Sequence, residues 1–167
     1  MKTDHEKLAS MIKDINFTML TTIGENGHLH SRPMATLDFG SVEDFDGSLW
    51  FFTRRDSLKV HDINEEKEVS LAYSNPESQR YVAVSGLASV VEDKKKIEEL
   101  WTADMKAWFP EGINDPQIAL IKVTVEGAEI WDSPPSTVVK LAGMAKAALT
   151  GKPYDHSQDH TTIGRTH

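Results

Sequence analysis

Short strand-like segments joined by brief turns run through most of the sequence, and this pattern restricts the fold more than any other feature. Six segments rich in β-branched and aromatic residues fit the description: 17–23, 28–39, 48–53, 68–74, 80–92 and 118–131. Closely linked strands pair as antiparallel hairpins, because parallel pairs need a longer crossover. The sequence therefore predicts a mainly β fold of the α+β class, an antiparallel sheet with peripheral helices.

Two residues inside these segments restrict how the sheet is built. Pro33 removes a backbone donor from the second segment, so that segment lies at a sheet edge or carries a bulge. Gly86 stands in the middle of the long fifth segment, where a glycine marks a bulge or a barrel corner. About six strands with a glycine in the middle of one of them favour a small closed barrel over an open sheet.

Helices are expected around the sheet. Thr3 and Glu6 form a capping box, and apolar residues at helical spacing extend the first predicted helix over residues 4–15. Ser57 is a candidate N-cap for a short helix between the third and fourth strands.

The C-terminal half is predicted to carry two further helices. Residues 93–108 place Trp101, Met105 and Trp108 on one face, which has more apolar surface than one small barrel face needs. Such a surface fits burial at an interface between two copies of a chain. The last helix is expected over residues 136–149.

Length and composition limit the class of protein. A chain of 167 residues fits one domain, here residues 1–150, followed by a polar tail at 151–167 that is expected to be mobile. The absence of cysteine excludes disulfides, thiolate metal sites and a cysteine nucleophile. The net charge of −8 repels phosphate backbones, so we expect no nucleic-acid partner. No apolar stretch approaches the roughly 18 residues of a membrane span or resembles a signal peptide, and we expect a cytoplasmic protein without membrane contact.

Common catalytic and nucleotide-binding motifs are missing from the sequence. It contains neither the Gly-x-Ser-x-Gly elbow of hydrolases nor the Gly-x-Gly-x-x-Gly turn of Rossmann domains. His28 and His30 share one strand face, but no third metal ligand is evident, so surface histidines are the preferred interpretation. We therefore predict no metal site.

A cluster of basic residues interrupts the acidic chain after the third strand. Four basic residues fall within eight positions that hold one acid: Arg54, Arg55, Lys59 and His61. They flank the start of a predicted helix, whose first N–H groups attract anions, and the hydroxyls of Thr53 and Ser57 are close in sequence. Two interpretations stay open, a solvated basic turn and a phosphate site to which Arg32 of the preceding strand contributes.

Two tryptophans stand at the ends of predicted elements. Trp108 is followed by Phe109 and Pro110, and Trp131 ends the last strand. A tryptophan in such a place either belongs to the core or supplies a flat wall for a planar ligand.

The order of several short motifs resembles a known family. The motifs are His30-Ser31-Arg32-Pro33-Met34, Trp50-Phe51-Phe52-Thr53 with Ser57 and Lys59, Arg80 to Gly86, Trp108-Phe109-Pro110-x-Gly112, Glu129-Ile130-Trp131-Asp132, and Thr150-Gly151-Lys152. Over about residues 5–152 the set resembles the pyridoxamine 5′-phosphate oxidase-like, FMN-binding split-barrel superfamily, and within it the small general stress proteins. The resemblance implies a split β-barrel homodimer with flavin sites at the subunit interface.

The resemblance implies cofactor contacts in two sequence regions. The first is the strand segment Ser31-Arg32-Pro33-Met34, in which Arg32 corresponds to the arginine that holds the phosphate of flavin mononucleotide (FMN). Its last two residues correspond to the strand that lines the flavin ring. The second region begins with the aromatic–threonine pair Phe52 and Thr53 and continues into the phosphate-binding turn Ser57-Leu58-Lys59.

Three aromatic residues complete the implied site. Tyr81 stands where the oxidases have a glutamine near the flavin, and Trp108 lies in a loop that resembles the general stress branch. Trp131 corresponds to a tryptophan that the partner subunit contributes. The implied cofactor is FMN, with FAD as the second possibility.

The sequence departs from the true oxidases where these bind phosphate and substrate. Leu58 and Leu37 replace an arginine and a lysine, and the residues after Trp131 lack the arginine and histidine that grip pyridoxal phosphate. The resemblance therefore implies flavin binding without pyridoxamine 5′-phosphate oxidation.

Three functions stay open at this point. The first is an FMN-dependent oxidoreductase of unknown substrate, for which no catalytic side chain is assigned. The second is a non-catalytic protein that binds FMN or FAD and senses or buffers flavin under stress. The third is a reductase that uses a deazaflavin or haem-like ligand. Because a flavin carries its own chemistry, the missing catalytic motifs do not separate the first two.

Overall fold

One antiparallel sheet organises the part of the chain that the computed structural model describes, residues 1–132, 137–152 and 160–164. The elements, in chain order, are α1 (Asp4–Ile12), β1 (Phe17–Ile23), β2 (Leu29–Ala35), β3 (Ser48–Arg54), α2 (Leu58–Glu65), β4 (Glu68–Asn75), β5 (Arg80–Val91), α3 (Lys94–Leu100), β6 (Ile118–Asp132), α4 (Thr137–Thr150) and β7 (His160–Gly164). The antiparallel fold class predicted from the sequence is confirmed.

The sheet curls until its two edges approach each other. The strand order is β2-β1-β4-β5-β6-β3, and β7 pairs with the part of β6 that lies beyond β3. After β2 the chain leaves β1, and the N–H of Leu37 donates to the carbonyl of Trp50 on β3 at 2.9 Å. This change of partner is the reason that β2 ends at Ala35 and not at Phe39, where the sequence predicts its end. The result is a half-barrel with few helices.

The core fills the inside of the curled sheet. Strand β4 alternates exposed and buried residues along its length, as expected for a sheet with one buried face. Helix α1 covers one part of the inside with Leu8, Ala9 and Ile12. A smaller cluster around Phe109 and Ile97 lies under α3, outside the main core.

Pro33 and Gly86 occupy the positions that the sequence predicts for them. Strand β2 is an edge strand, so the donor that Pro33 lacks breaks no sheet ladder. Between Ser85 and Gly86 the register of β5 against β6 shifts, which is a β-bulge. A Cβ added to Gly86 would lie 2.5 Å from the carbonyl oxygen of Thr124 and 3.0 Å from Cγ1 of Val123.

We expect Gly86→Ala to lower the free energy of unfolding by about 1–3 kcal/mol, because backbone must move to admit the methyl group. Urea unfolding followed by circular dichroism measures the loss. Ser89→Ala, at an exposed position of the same strand, is the matched control and should stay within about 0.5 kcal/mol of the parent. A Gly86→Ala protein as stable as the parent would contradict the close approach.

Two helix predictions are wrong at their C-terminal ends. Helix α1 stops at Ile12 and not at residue 15, because the chain turns there to enter β1. The helix predicted over residues 93–108 ends at Leu100. Trp101 is extended, with φ −68° and ψ 133°, and a separate 3-10 segment follows at Ala103–Ala107. Trp101, Met105 and Trp108, which the sequence analysis assigned to one helix face, therefore do not share a helix.

The C-terminal segment contains a strand, β7, that the sequence does not predict. The last predicted helix agrees with α4, although Ser136, its expected cap, lies outside the described residues. The polar tail contains β7, which extends the sheet along β6. No helix in the described part of the chain is long and apolar enough to cross a membrane.

Candidate functional site

A buried carboxylate lies at the centre of a polar cluster between β1, β2 and α2. The side chain of Asp62, on α2, is 1% exposed. Its Oδ2 atom accepts a hydrogen bond from Oγ1 of Thr22 at 2.7 Å and lies 3.0 Å from Nδ1 of His30. The same oxygen lies 3.6 Å from Nη2 of Arg32. Three donors from two neighbouring strands thus converge on one oxygen.

The alternation of the two strands explains this convergence. In β2 every second side chain, including His30 and Arg32, is turned toward the inside of the sheet. Thr22 lies opposite His30 in the β1–β2 register, so both reach the same side of the sheet. Helix α2 packs there and buries Asp62 together with Ile63.

Hydrogen bonds fix the position of the Arg32 guanidinium and leave some of its N–H groups unused. Its Nη1 donates to Oγ1 of Thr22 at 2.8 Å and to the carbonyl of Leu20 at 3.3 Å. Because a guanidinium carries five N–H donors, the Nε–H and one N–H of Nη2 remain after these bonds and the Asp62 contact. Burial lowers the pKa of Arg32, and the charge and hydrogen bond of Asp62 oppose that shift.

Asp62 carries its negative charge at neutral pH. Burial raises the pKa of this carboxyl, but the hydrogen bonds from Thr22 and His30 and the positive charge of Arg32 outweigh burial, so the pKa is lowered. A depressed carboxyl pKa contributes stability that is present above the ordinary carboxyl range and is lost as the pH falls through the folded-state value.

Lys59 adds a second partly buried cation next to Arg32. Burial lowers the pKa of Lys59 most, and the positive charge of Arg32 lowers it further, so the two cations repel each other. The Oγ atoms of Thr53 and Ser57 lie 3.3 Å apart at the start of α2. Ser57 occupies the N-cap position without a side-chain capping bond. Two cations, two hydroxyls and the first N–H groups of a helix are suited to an anion.

The two arginines before α2 do not join this group. Arg54 pairs with Asp56 at 3.1 Å and Arg55 pairs with Glu92 at 2.8 Å, and both arginine side chains are about half exposed. His61 is also exposed and faces Glu25 at 3.7 Å. Of the four basic residues in the sequence cluster, only Lys59 therefore lies beside Arg32.

The outer face of the sheet carries exposed aromatic residues. Tyr81 on β5 lies opposite Trp131 on β6, and they are 44% and 39% exposed. The ring of His160, on β7, stacks on Trp131 with the centroids 5.1 Å apart and 20° between the planes. The ring of His160 therefore covers one face of the Trp131 ring, and Trp131 stays partly exposed on this face of the sheet.

The residues of β2 are divided between the two faces of the sheet. Met34 is buried in the main core, whereas Ser31 and Pro33 point to the outer face. Ser31 exchanges a 2.7 Å hydrogen bond with Thr21 there. The strand can therefore contact a ligand at its outer face and an anion through Arg32 on the inner side.

The remaining predicted residues lie in different surroundings. Thr53 is buried on the inner side, but the neighbouring ring of Phe52 packs against Trp101, with the centroids 5.9 Å apart, and against Phe109. Leu58 is 58% exposed and Trp108 is 74% exposed.

The sequence interpretation of this region needs one correction. His30 is not a simple surface histidine, since its ring contacts Asp62. Arg32 approaches α2 across β1, with which β2 pairs. Asp62 itself was not predicted, although an acid between the apolar residues Val60 and Ile63 of a short helix is a signal that could have found it. Within the described ranges no group of three or more histidine, aspartate or glutamate residues is placed to hold a metal ion.

The sequence of this chain matches one protein family and a curated relative. Residues 3–155 match the family described as pyridoxamine 5′-phosphate oxidase like. Protein bli-3 of Neurospora crassa is 30% identical over 155 residues, which cover 87% of this chain and 73% of that protein.

Solved structures show the same fold. The general stress FMN/FAD binding protein of Xanthomonas citri is 28% identical, with a TM-score of 0.67 over 79% of this chain and 90% of that chain. A protein of Jannaschia sp. CCS1 is 22% identical and has a TM-score of 0.68 over 97% of this chain and 98% of that chain.

Proposed function

This chain belongs to the family of pyridoxamine 5′-phosphate oxidase-like proteins, and from that premise we propose that it binds a flavin, FMN in preference to FAD, as a general-stress-type protein. The observation that carries the proposal is a pair of neighbouring, partly buried cations, Arg32 on β2 and Lys59 in the first turn of α2. The Xanthomonas citri protein, which resembles this chain in fold and sequence, is described as binding FMN or FAD.

The residues of the inner site fit a phosphate monoester. The two remaining N–H groups of Arg32 can donate in parallel to two phosphate oxygens, and Lys59 supplies a second charge-assisted bond. Ser57, whose hydroxyl does not cap the helix, is a further donor. Asp62 offsets only one of the two positive charges, so the site keeps an attraction for a dianion.

We propose that the flavin ring lies at the outer face of the sheet, between two copies of the chain. A row of residues in register across five strands supports a flat contact there: Pro33, Met19, Ala72, Ala83 and Glu129. Large apolar side chains around it are exposed, among them Phe17 at 64% and Leu29 at 70%. This surface replaces the broken helix face as the argument for a homodimer, in which Trp131 of each subunit serves the site of the other.

The bound flavin supplies hydride or electron transfer, and the chain positions it. Arg32 and Lys59 fix the phosphate end, and the sheet face excludes water from one side of the ring. We propose an oxidoreductase role on this basis. Reoxidation of the reduced flavin by candidate acceptors, faster on the protein than free in solution, tests it. Equal rates would leave the flavin-storage role.

The cofactor proposal predicts that FMN binds at least about tenfold more tightly than riboflavin, because only FMN carries the phosphate. Quenching of flavin fluorescence, with FMN, FAD and riboflavin titrated in parallel, measures the three affinities. The absorption spectrum of the protein as purified adds an independent observation, since haem or a deazaflavin absorbs differently from FMN. Equal affinity for FMN and riboflavin would remove Arg32 and Lys59 from the proposed site.

A further inference from the structure

Burying the carboxylate of Asp62 costs solvation free energy. A buried carboxylate is tolerated only when it is paired and hydrogen-bonded, and Asp62 satisfies this through Thr22, His30 and Arg32. Its Oδ2 atom lies against the same guanidinium that the proposed function assigns to the phosphate. An acid in this place competes electrostatically with any anion that approaches Arg32.

We propose that Asp62 is the internal counter-ion of Arg32 and determines how strongly the site holds a phosphate. With Asp62 ionised, the charges of Arg32, Lys59 and Asp62 sum to one positive charge. The guanidinium is kept rigid by Thr22 and Leu20, so it remains oriented without the carboxylate. Asp62 therefore weakens phosphate binding, and the cofactor stays exchangeable. This inference rests on the proposed function.

The titratable groups around Asp62 contribute to the net charge of the inner site. His30 approaches its Oδ2 from β2, and Lys59 and His61 lie on its own helix. His61 is exposed and faces Glu25 at 3.7 Å, so it adds little to the inner site. His30 is the nearer partner of Oδ2, at 3.0 Å, and Arg32, at 3.6 Å, is the permanent cation of the group.

Neutral substitutions test the proposal. Asp62→Asn keeps an acceptor oxygen for the three donors and removes the charge. We expect FMN affinity to rise about tenfold, with riboflavin affinity unchanged within about twofold, because only the phosphate feels the lost charge. Asp62→Ala should shift the ratio of FMN to riboflavin affinity in the same direction, so the test does not depend on one variant. Asp56→Asn, an exposed acid paired with Arg54 just before α2, is the matched control and should leave the ratio unchanged.

Inorganic phosphate provides a second probe that needs no flavin. Its protection against thermal unfolding should be larger for Asp62→Asn than for the parent at equal concentration. If the parent prefers FMN over riboflavin and Asp62→Asn leaves that preference unchanged or lowers it, the role of Asp62 is overturned while flavin binding stands. If the parent shows no such preference, the proposed function fails first.

Discussion

Replacing Arg32 by alanine is expected to weaken FMN binding by on the order of ten- to a hundredfold and to leave riboflavin affinity nearly unchanged. Arginine can donate two parallel N–H bonds to one phosphate, and the two N–H groups that Arg32 does not use inside the protein are available for this. Lys59→Ala should act in the same direction and less strongly, since an ammonium makes no bidentate contact. Fluorescence titration with both ligands measures each effect.

Asp62 complicates the interpretation of the Arg32 variant. Without Arg32 the carboxylate keeps Thr22 and His30 as partners but loses its permanent cation, and its charge then repels the phosphate directly. The double variant Arg32→Ala with Asp62→Asn removes both charges and isolates the lost donors. We expect the double variant to bind FMN more tightly than Arg32→Ala alone and less tightly than the parent. Comparing the double variant with the two single variants measures the coupling free energy between the two side chains, which is expected to differ from zero for residues in direct contact.

Arg54 and Arg55 are the matched controls for the cations. Both are exposed and paired with acids, so Arg54→Ala and Arg55→Ala should change FMN affinity by less than about twofold. Equal losses of FMN and riboflavin affinity in Arg32→Ala would show instead that the substitution disturbs the sheet.

The strands were predictable from sequence because their signals are local. Alternation of apolar residues locates β4, and the special backbone needs of Pro33 and Gly86 locate an edge and a bulge. These inferences use neighbouring residues only. The antiparallel class follows from the short links between strands.

The errors occurred where distant residues decide the structure. Apolar residues at helical spacing predicted one helix over residues 93–108, but Trp101 leaves α3 to pack its ring against Phe52, about fifty positions earlier in the chain. Arg32 lies on β2, an edge strand, and Asp62 lies on α2, a helix that packs against β1 and β5. Their contact therefore joins two elements that do not follow each other in the chain. No local pattern encodes either contact.

Strand β7 was not predicted from the sequence, because the tail is polar and the strand depends on pairing with the distant β6. Its residues carry little apolar signal, and the strand forms because β6 extends beyond β3 and leaves backbone groups to pair. His160 then stacks on Trp131, so a residue from the predicted mobile tail borders the proposed flavin site.

Placing a charge on the outer sheet face at Met19 should abolish the proposed dimer. Met19 is 42% exposed in one chain and lies between Pro33 and Ala72 in the row that crosses the sheet. In a twofold dimer Met19→Lys would bury an unpaired ammonium in each subunit, so the cost counts twice. We expect the dimer dissociation constant to rise on the order of a thousandfold.

Sedimentation velocity across a micromolar concentration range measures this change. The parent should sediment as a dimer and Met19→Lys as a folded monomer with an unchanged circular dichroism spectrum. Asn64→Lys, which adds the same charge to the exposed side of α2, is the control and should remain dimeric. Because Trp131 is proposed to serve the site of the partner, Met19→Lys should also weaken riboflavin binding, which Arg32→Ala does not. A monomeric parent that still binds FMN tightly would contradict the interface, and the flavin ring would then have to lie against one chain alone.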